Sequence, residues 1–353
     1  MHKTLEIDQY MELALAAGSI IFDARSPKEF AEGHIPGAIN LPLMDNDQRH
    51  EIGITYKKQG HDAAVEKGFE LVGPHFAEKL RLAKELTSKR EVLVYCWRGG
   101  LRSNILAWLL QTGGFKVTLL KGGYKAFRNQ NMSLFSTKGH PIILSGKTGV
   151  GKTEILEKLI AANQYVIDLE GIANHKGSAF GGLGQNEQPN QEQFENLLGN
   201  QFRTIPNDHS VWIENESRFI GRIRIPDLIF NRMKSAPIVD IERPIEERTT
   251  RILSEYGHFP KEILAEKTRT LAKRMGGEQV KQSLEFLENN QLEEWVKLLL
   301  HYYDKGYTHS RSLKEEEDPD SNTVIHVSSS TNFDEMISKL IDLANQWKKP
   351  QYQ

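Results

Sequence analysis

Eight residues, Gly146-Lys147-Thr148-Gly149-Val150-Gly151-Lys152-Thr153, constrain this chain more than any other segment. They satisfy the spacing G-x-x-x-x-G-K-[ST], and a chance match somewhere in a chain of 353 residues is on the order of 1%. The motif joins an apolar run, PIILSG (141–146), to an amphipathic run, GVGKTEILEKLI. A strand passing through a glycine-rich turn into a helix lets backbone amides curl around phosphate oxygens. Gly146, Gly149, Val150 and Gly151 form that cradle. Lys152 is placed to neutralise terminal phosphate charge, and Thr153 can hold Mg²⁺.

Further apolar runs surround the motif. YVIDLE (165–170), VWIENE (211–216), PIVDIE (237–242) and TVIHVS (323–328) read as strands, with helical stretches between them. Upstream, SIIFDAR (19–25), EVLVYC (91–96) and KVTLLKGG (116–123) read as strands too, with helices expected near 8–17, 75–89 and 103–111. Strands alternating with helices predict parallel α/β sheets. The polar segment 129–139 reads as a linker, so the expected domains are 1–133 and 138–353. HSRSLKEEEDPDSN (309–322) reads as an exposed loop.

Asp168, Glu214 and Glu216 fall at predicted strand ends beside the phosphate loop, where a metal-side carboxylate would sit. The stretch HKGSAFGG (175–182), with His175 and Lys176, reads as an ordered site loop or, equally, a solvated one. Arg218 falls near the same strand ends.

A second constellation lies in the first domain. Cys96 ends a strand and precedes WRGGLRS, where a helix is expected to start. Such a loop draws an anion to its backbone N–H groups, and the same field favours a thiolate over a thiol. Trp97, Gly99, Gly100 and Leu101 make up the loop, and Arg98 and Arg102 add positive charge. Asp23 and Arg25 are candidates for a salt bridge that positions it, and His34 for a packed turn residue.

Charge bears on partners. Lys plus Arg is 45 against 47 Asp plus Glu, a formal −2. Yet residues 243–274 hold eight basic side chains (243, 248, 251, 261, 267, 269, 273, 274) against five acidic ones. That balance fits either an RNA-phosphate face or a solvated helix with paired charges. Tyr302, Tyr303 and Tyr307 could stack on splayed bases, with core packing the expectation for at least one of them. A single Cys forms no intrachain disulfide and points to a reducing, cytoplasmic setting. No apolar run is long enough to span a bilayer, and the N-terminal residues do not read as a signal peptide.

The first ~130 residues resemble a rhodanese domain, through FDARSPKEFAEGHIPGAINLP (22–42), VYCWRGGLRS (94–103) and LKGGYKAF (120–127). The loop from Cys96 to Arg102 is one residue longer than the usual sulfurtransferase loop and so fits a larger anion. By itself it fits chalcogen transfer or phosphate-ester hydrolysis. Tyr95 stands where the phosphatase loop has His, which weighs against the latter. With the phosphate loop, and with LEGIANHKGSAFGG, VWIENESRFIG and LLLHYYDKGYTHS, the whole chain resembles the bacterial tRNA 2-selenouridine synthases.

That resemblance implies a rhodanese-like domain followed by a P-loop NTPase-like α/β domain with helical additions. It implies a transferase acting on the wobble uridine of tRNA in two steps. 2-Thiouridine would be S-alkylated by geranyl diphosphate, and the geranylthio group then displaced with selenophosphate to give 2-selenouridine. The phosphate loop and Lys152 would serve the diphosphate, and Cys96 would take part in selenium transfer, with a Cys–Se adduct left open. No tightly bound cofactor is expected beyond Mg²⁺. The alternative is an ATP-dependent rhodanese-type sulfurtransferase acting on RNA.

Overall fold

The computed structural model describes residues 2–16, 18–317, 324–328 and 333–347, of which 308–317 are described in backbone only. The chain divides into two compact units, residues 1–134 with 195–200, and residues 135–194 with 201–353.

The first unit is built on five parallel strands: β1 (Lys3–Leu5), β2 (Ile21–Asp23), β3 (Ile39–Asn40), β4 (Glu91–Tyr95) and β5 (Lys116–Leu120). Their order across the sheet is β1-β5-β4-β2-β3. The helices are α1 (Ile7–Leu15), α2 (Pro27–Glu32), α3 (Asn46–Gln59), α4 (His61–Val72), α5 (Phe76–Leu86), α6 (Leu101–Thr112) and α7 (Gly123–Thr137). β4 lies mid-sheet and its last four residues are buried, which explains its unbroken apolar run. One core packs Phe22, Val94, Leu106, Leu110 and Leu119 on one face of the sheet. Tyr10, Ile35, Tyr95, Tyr124 and Phe127 fill another. Two helices between 46 and 72, to which the sequence reading assigns no element, are opened by a capping box at Asp45 and Gln48 and by Gly60.

The expected linker at 129–139 is helical through Thr137, as the last turns of α7. Its polar residues sit on a continuing helix because no Gly or Pro interrupts it before Gly139.

The second unit carries the parallel strands β6 (His140–Gly146), β7 (Tyr165–Ile167), β8 (Ser210–Glu214), β11 (Ile238–Glu242) and β12 (Val324–Ser328), and a small antiparallel hairpin, β9 (Phe219–Ile220) with β10 (Ile223–Arg224). The parallel order is β12-β11-β6-β8-β7, so the strand feeding the phosphate loop is central. Around it lie α8 (Lys152–Ala161), α9 (Leu169–Ala173), α11 (Asp227–Lys234) and α17 (Phe333–Gln346), while α10 (Gln191–Arg203) has its residues 195–200 in the first unit. The helical addition comprises α12 (Ile245–Tyr256), α13 (Lys261–Thr270), α14 (Ala272–Met275), α15 (Gly277–Glu288) and α16 (Leu292–Glu317), closed around Tyr256, Leu264, Leu287, Trp295 and Leu300. α16 continues through residues 309–317, where the sequence predicts a loop. The remainder of that loop, 318–322, lies outside the described residues.

Candidate functional site: two anion cradles

In the first unit, Cys96 follows directly on β4 and is buried, with its Sγ 3.2 Å from the Ser103 Oγ. That hydroxyl donates to the Gly100 carbonyl at 3.0 Å, tying the start of α6 to the loop. The loop's curvature is held from outside by the turn after β5. The backbone N–H groups of Tyr124 and Lys125 donate to the Cys96 and Trp97 carbonyls, at 2.8 and 3.0 Å. Gly123 has φ +61°, and a Cβ there would stand 2.2 Å from the Cys96 oxygen and 2.5 Å from the Gly99 nitrogen. Only glycine fits so close an approach of two loops.

Asp23 and Arg25 sit behind this loop as a fully buried ion pair, 2.7 Å from Nη2 to Oδ2. The Arg25 guanidinium also donates to the Gly33 carbonyl and lies 3.9 Å from the Tyr124 ring centroid and 5.9 Å from that of Trp97. Burial opposes the Arg25 charge, but its hydrogen bonds to Asp23 more than offset this and raise its pKa. Trp97 and Leu101 are exposed at the loop's rim, as is Arg98. Arg102 has an acidic partner outside the loop. Its Nη1 is bound to the Glu29 carboxylate at 2.6 Å, so its charge is countered rather than offered to the loop alone. Burial would raise the Glu29 carboxyl, but the Arg102 hydrogen bond and charge hold it below its usual range. His34 stacks on Phe30, with centroids 3.9 Å apart, and its Nδ1 is 2.9 Å from the Phe30 carbonyl, consistent with a packed turn residue.

In the second unit, the phosphate loop runs from β6 into α8, whose first residue is Lys152, with Thr153 next to it. Gly149 takes φ +84° with its Cβ direction against Arg248 of α12. Val150 is buried. Three of the basic residues that fit either an RNA face or a solvated helix instead bind this loop and the helix that follows it. Arg243 Nε donates to the Val150 carbonyl at 2.7 Å and Arg248 Nε to the Thr148 carbonyl at 2.9 Å. Arg251 pairs with Glu154 at 2.7 Å. Arg248 is also bidentate on Asp304 of α16, which stands 3.8 Å from Lys147. Backbone carbonyls at a tight turn need donors, and arginine supplies them. Lys261, Arg269, Lys273 and Arg274 remain exposed.

Tyr307 is likewise a framework residue rather than a stacking platform. Its hydroxyl donates to Asp240 at 2.5 Å and lies 2.8 Å from the Ser145 hydroxyl, one residue before the loop. Tyr302 and Tyr303 are partly buried against the core of the helical addition.

Glu170, Glu214 and Glu216 cluster with one oxygen of each within 4.8 Å of the others, and the Lys152 charge acts on Glu170 and Glu216. The sequence pattern misses Glu170. β7 stops at Ile167 because the Asp168 side chain accepts from the Gly171 N–H at 2.7 Å and caps α9. The chain turns there, and the Glu170 N–H donates to Glu214 Oε1 at 2.6 Å. A D-x-x-G cap signature within the apolar run was the available signal. Asp168 therefore serves as a cap, though its charge acts on Glu170 and Glu214. Glu214 is fully buried, and its Oε2 has no protein hydrogen-bond partner among the described residues. Burial, then the neighbouring carboxylates, pushes Glu214 well up and Glu170 up to about 8. Burial raises Glu216 as well, although the Lys152 charge and a hydrogen bond with Glu170 pull it back.

The 175–182 loop folds over this cluster. The His175 N–H donates to the Glu170 carbonyl at 3.1 Å, and a Cβ on Gly177 would stand 2.6 Å from Glu216 Oε2. His175 Nδ1 is buried without a protein partner, and burial, then the Lys267 charge, lowers its pKa. Lys176 pairs with Glu255. Arg218 pairs with Asp227 and lies 5.3 Å from the Phe230 ring, so its recorded partners are on α11 rather than in the phosphate loop.

Comparison with known proteins matches the two units to two family models. Residues 7–130 match the rhodanese-like domain, and residues 139–332 match the tRNA 2-selenouridine synthase AAA domain. A tRNA 2-selenouridine synthase of Marinobacter nauticus is 35% identical, over 88% of this chain and 93% of that protein. One from Sulfurovum sp. is 37% identical, over 81% and 87%. A crystal structure of the N-terminal domain of a putative ATP/GTP binding protein from Clostridium difficile 630 is 36% identical over 36% of this chain and 98% of its own, with a TM-score of 0.34.

Proposed function

Since the chain belongs to the tRNA 2-selenouridine synthase family, we propose that it converts wobble 2-thiouridine in tRNA to 2-selenouridine in two steps, S-geranylation and then selenation. The observation that carries this reading is the presence of two anion cradles of different kinds in one chain: a cysteine-bearing loop and a phosphate loop beside Lys152.

Direct exchange of sulfur for selenium at C2 has a poor leaving group. Alkylation makes the sulfur a better one and makes C2 more electrophilic. In the first step S2 attacks C1 of geranyl diphosphate, the C1–O bond breaks and diphosphate leaves. Negative charge builds on the bridging oxygen, and fixed cationic and N–H groups stabilise it most when they are already in place. Lys152 and the backbone of 146–151 supply those groups, and Thr153 is the residue that would hold Mg²⁺ on the diphosphate. Arg243 and Arg248 act indirectly, by fixing the carbonyls of Val150 and Thr148.

In the second step selenophosphate occupies the Cys96 loop. Its selenium attacks C2, geranylthiolate departs, and water opens the P–Se bond to release phosphate. Selenium is at the selenide level in both selenophosphate and product, so the displacement needs no redox change at Cys96. Cys96 and the amides of 97–101 hold and orient the anion, and Arg98 adds charge at its rim. Exposed basic residues such as Lys261, Arg269, Lys273 and Arg274 are available for tRNA phosphates. No helix among the described residues is long and apolar enough to cross a membrane, and a cytoplasmic setting belongs to this reading.

The test is an assay on RNA carrying 2-thiouridine, read by nucleoside mass spectrometry without added nucleotide. Geranyl diphosphate alone should give the geranylthio nucleoside, and selenophosphate added with it should give 2-selenouridine. Lys152→Ala should abolish the first product, and Cys96→Ala should block only the second. Product that appears only with ATP would replace this reading with ATP-dependent chalcogen transfer.

A further inference from the structure

A helix on the surface of a domain ordinarily turns one apolar stripe to the core and polar residues to water. α6, which leads away from the cysteine cradle, carries a second apolar row. Leu106, Ala107, Leu109 and Leu110 fill its buried side. Leu101, Ile105 and Trp108 follow at steps of four and three residues, so they line up on another side of the helix. Leu101 is 50% and Trp108 53% exposed, with Ile105 half-buried between them. The Trp108 ring packs edge-on with Phe76 of α5, centroids 6.0 Å apart, which extends the row by one more apolar side chain. Asn104 and Gln111 flank it on one side.

We propose that this row, Leu101, Ile105, Trp108 and Phe76, receives the geranyl chain of the alkylated uridine while selenium attacks C2. This rests on the two-step reading above and adds to it the residues that recognise the intermediate. The step itself calls for such a place. Selenium held in the cradle forms its bond to C2, and the geranylthio sulfur is bonded to that same carbon. The chain therefore starts beside the anion and has to cross the rim. As the C2–S bond breaks, the sulfur keeps the electron pair and takes a proton from water, so a thiol on an apolar chain departs. Apolar surface that begins at the rim shields that chain from water throughout.

Continuity and size both fit this occupant. Leu101 is at once a rim residue of the cysteine loop and the first residue of α6, so the row starts at the cradle. From Leu101 to Trp108 the helix axis advances roughly 10 Å at about 1.5 Å per residue. That matches the reach of an extended chain with eight carbons in line, which is the geranyl backbone. Width argues against a protein partner. The row is one side chain wide, whereas a stable interface between two chains covers about 800 Å² on each.

The experiment uses the full-length protein, selenophosphate and two stem-loop RNAs alkylated in advance, one carrying S-geranyl-2-thiouridine and the other S-methyl-2-thiouridine. The reacting carbon and the leaving atom are the same, so the two differ only in the chain. Wild type should selenate the geranyl RNA with a kcat/KM about 10- to 100-fold above that for the methyl RNA, the effect of burying a few methylene groups. Trp108→Ser should remove most of that advantage, while the rate on the methyl RNA and the geranylation of 2-thiouridine are kept. Trp108→Leu, which preserves an apolar surface, should keep the larger part of it. Equal wild-type rates on the two RNAs, or a Trp108→Ser protein slowed equally on both, would overturn the row and leave the two-step reading standing. A wild type that makes no 2-selenouridine from the geranyl RNA would remove both. Sedimentation of wild type and Trp108→Ser at the assay concentration covers a second copy of the chain as occupant. A dimer that the substitution dissolves would assign the row to self-contact and overturn the proposal.

Discussion

Replacing Glu170 by Gln should make the protein more stable, and increasingly so as pH rises. Burial, reinforced by Glu216, lifts the Glu170 carboxyl from 4.5 to about 8 in the folded state. Between those values the folded chain binds a proton that the unfolded chain has lost. Stability therefore falls as pH climbs from 4.5 towards 8, and is unaffected by this group below 4.5. Each unit is worth about 1.4 kcal/mol, so the span caps the penalty at roughly 5 kcal/mol. Because the three carboxyls share protons, one substitution should recover part of that, about 2–3 kcal/mol at pH 8 and close to nothing at pH 4. The assay is guanidinium unfolding of wild type and Glu170→Gln at pH 5, 6.5 and 8, comparing midpoints of the transition that reports the second unit. A widening gap in favour of the variant is expected. A variant that is less stable than wild type at pH 8, or a gap independent of pH, would refute the picture of carboxyls forced together.

Other perturbations follow from the same contacts. Gly123→Ala should distort the cysteine loop, since its Cβ would overlap the Cys96 carbonyl. Selenation should fall at least tenfold while geranylation persists, measured by product mass spectrometry. Asp23→Asn leaves the Arg25 charge buried and unpaired and should cost about 3–5 kcal/mol in urea unfolding. Arg248→Ala removes the donor to Thr148 and the ion pair with Asp304. It should weaken binding of inorganic diphosphate by at least tenfold in calorimetry, corresponding to about 1.5–3 kcal/mol for a charge-assisted hydrogen bond.

The phosphate loop was legible because its chemistry is local: a strand, glycines at fixed spacing, and the lysine at a helix start. The cysteine loop was legible for the same reason. What the sequence hid are contacts made across long separations. Arg243, Arg248 and Arg251 have the composition of a nucleic-acid face, and nothing local tells that they reach back about a hundred residues, Arg243 and Arg248 to the loop carbonyls and Arg251 to the Glu154 carboxylate. Arg102 looks like part of the anion site until Glu29, on another helix, is seen to hold it. Glu170 was hidden by a boundary, because apolar VI and acidic DLE read as one strand when no weight is given to Asp168 as a cap. Tyr307 carried an aromatic signal whose hydroxyl turned out to matter more than its ring.

The approach of Gly123 to Cys96 and Gly99 has one more consequence. The mould of the cysteine cradle is cast largely by main-chain atoms of two loops pressed together, with the Ser103 hydroxyl tying the helix start to it. Trp97, Arg98 and Leu101 decorate the rim of that mould without setting its curvature. Anion size and rim chemistry are thus separately adjustable. Exchanging the rim residues alters which organic group can be presented to the bound anion, while the two glycines decide whether an anion of that size is held at all.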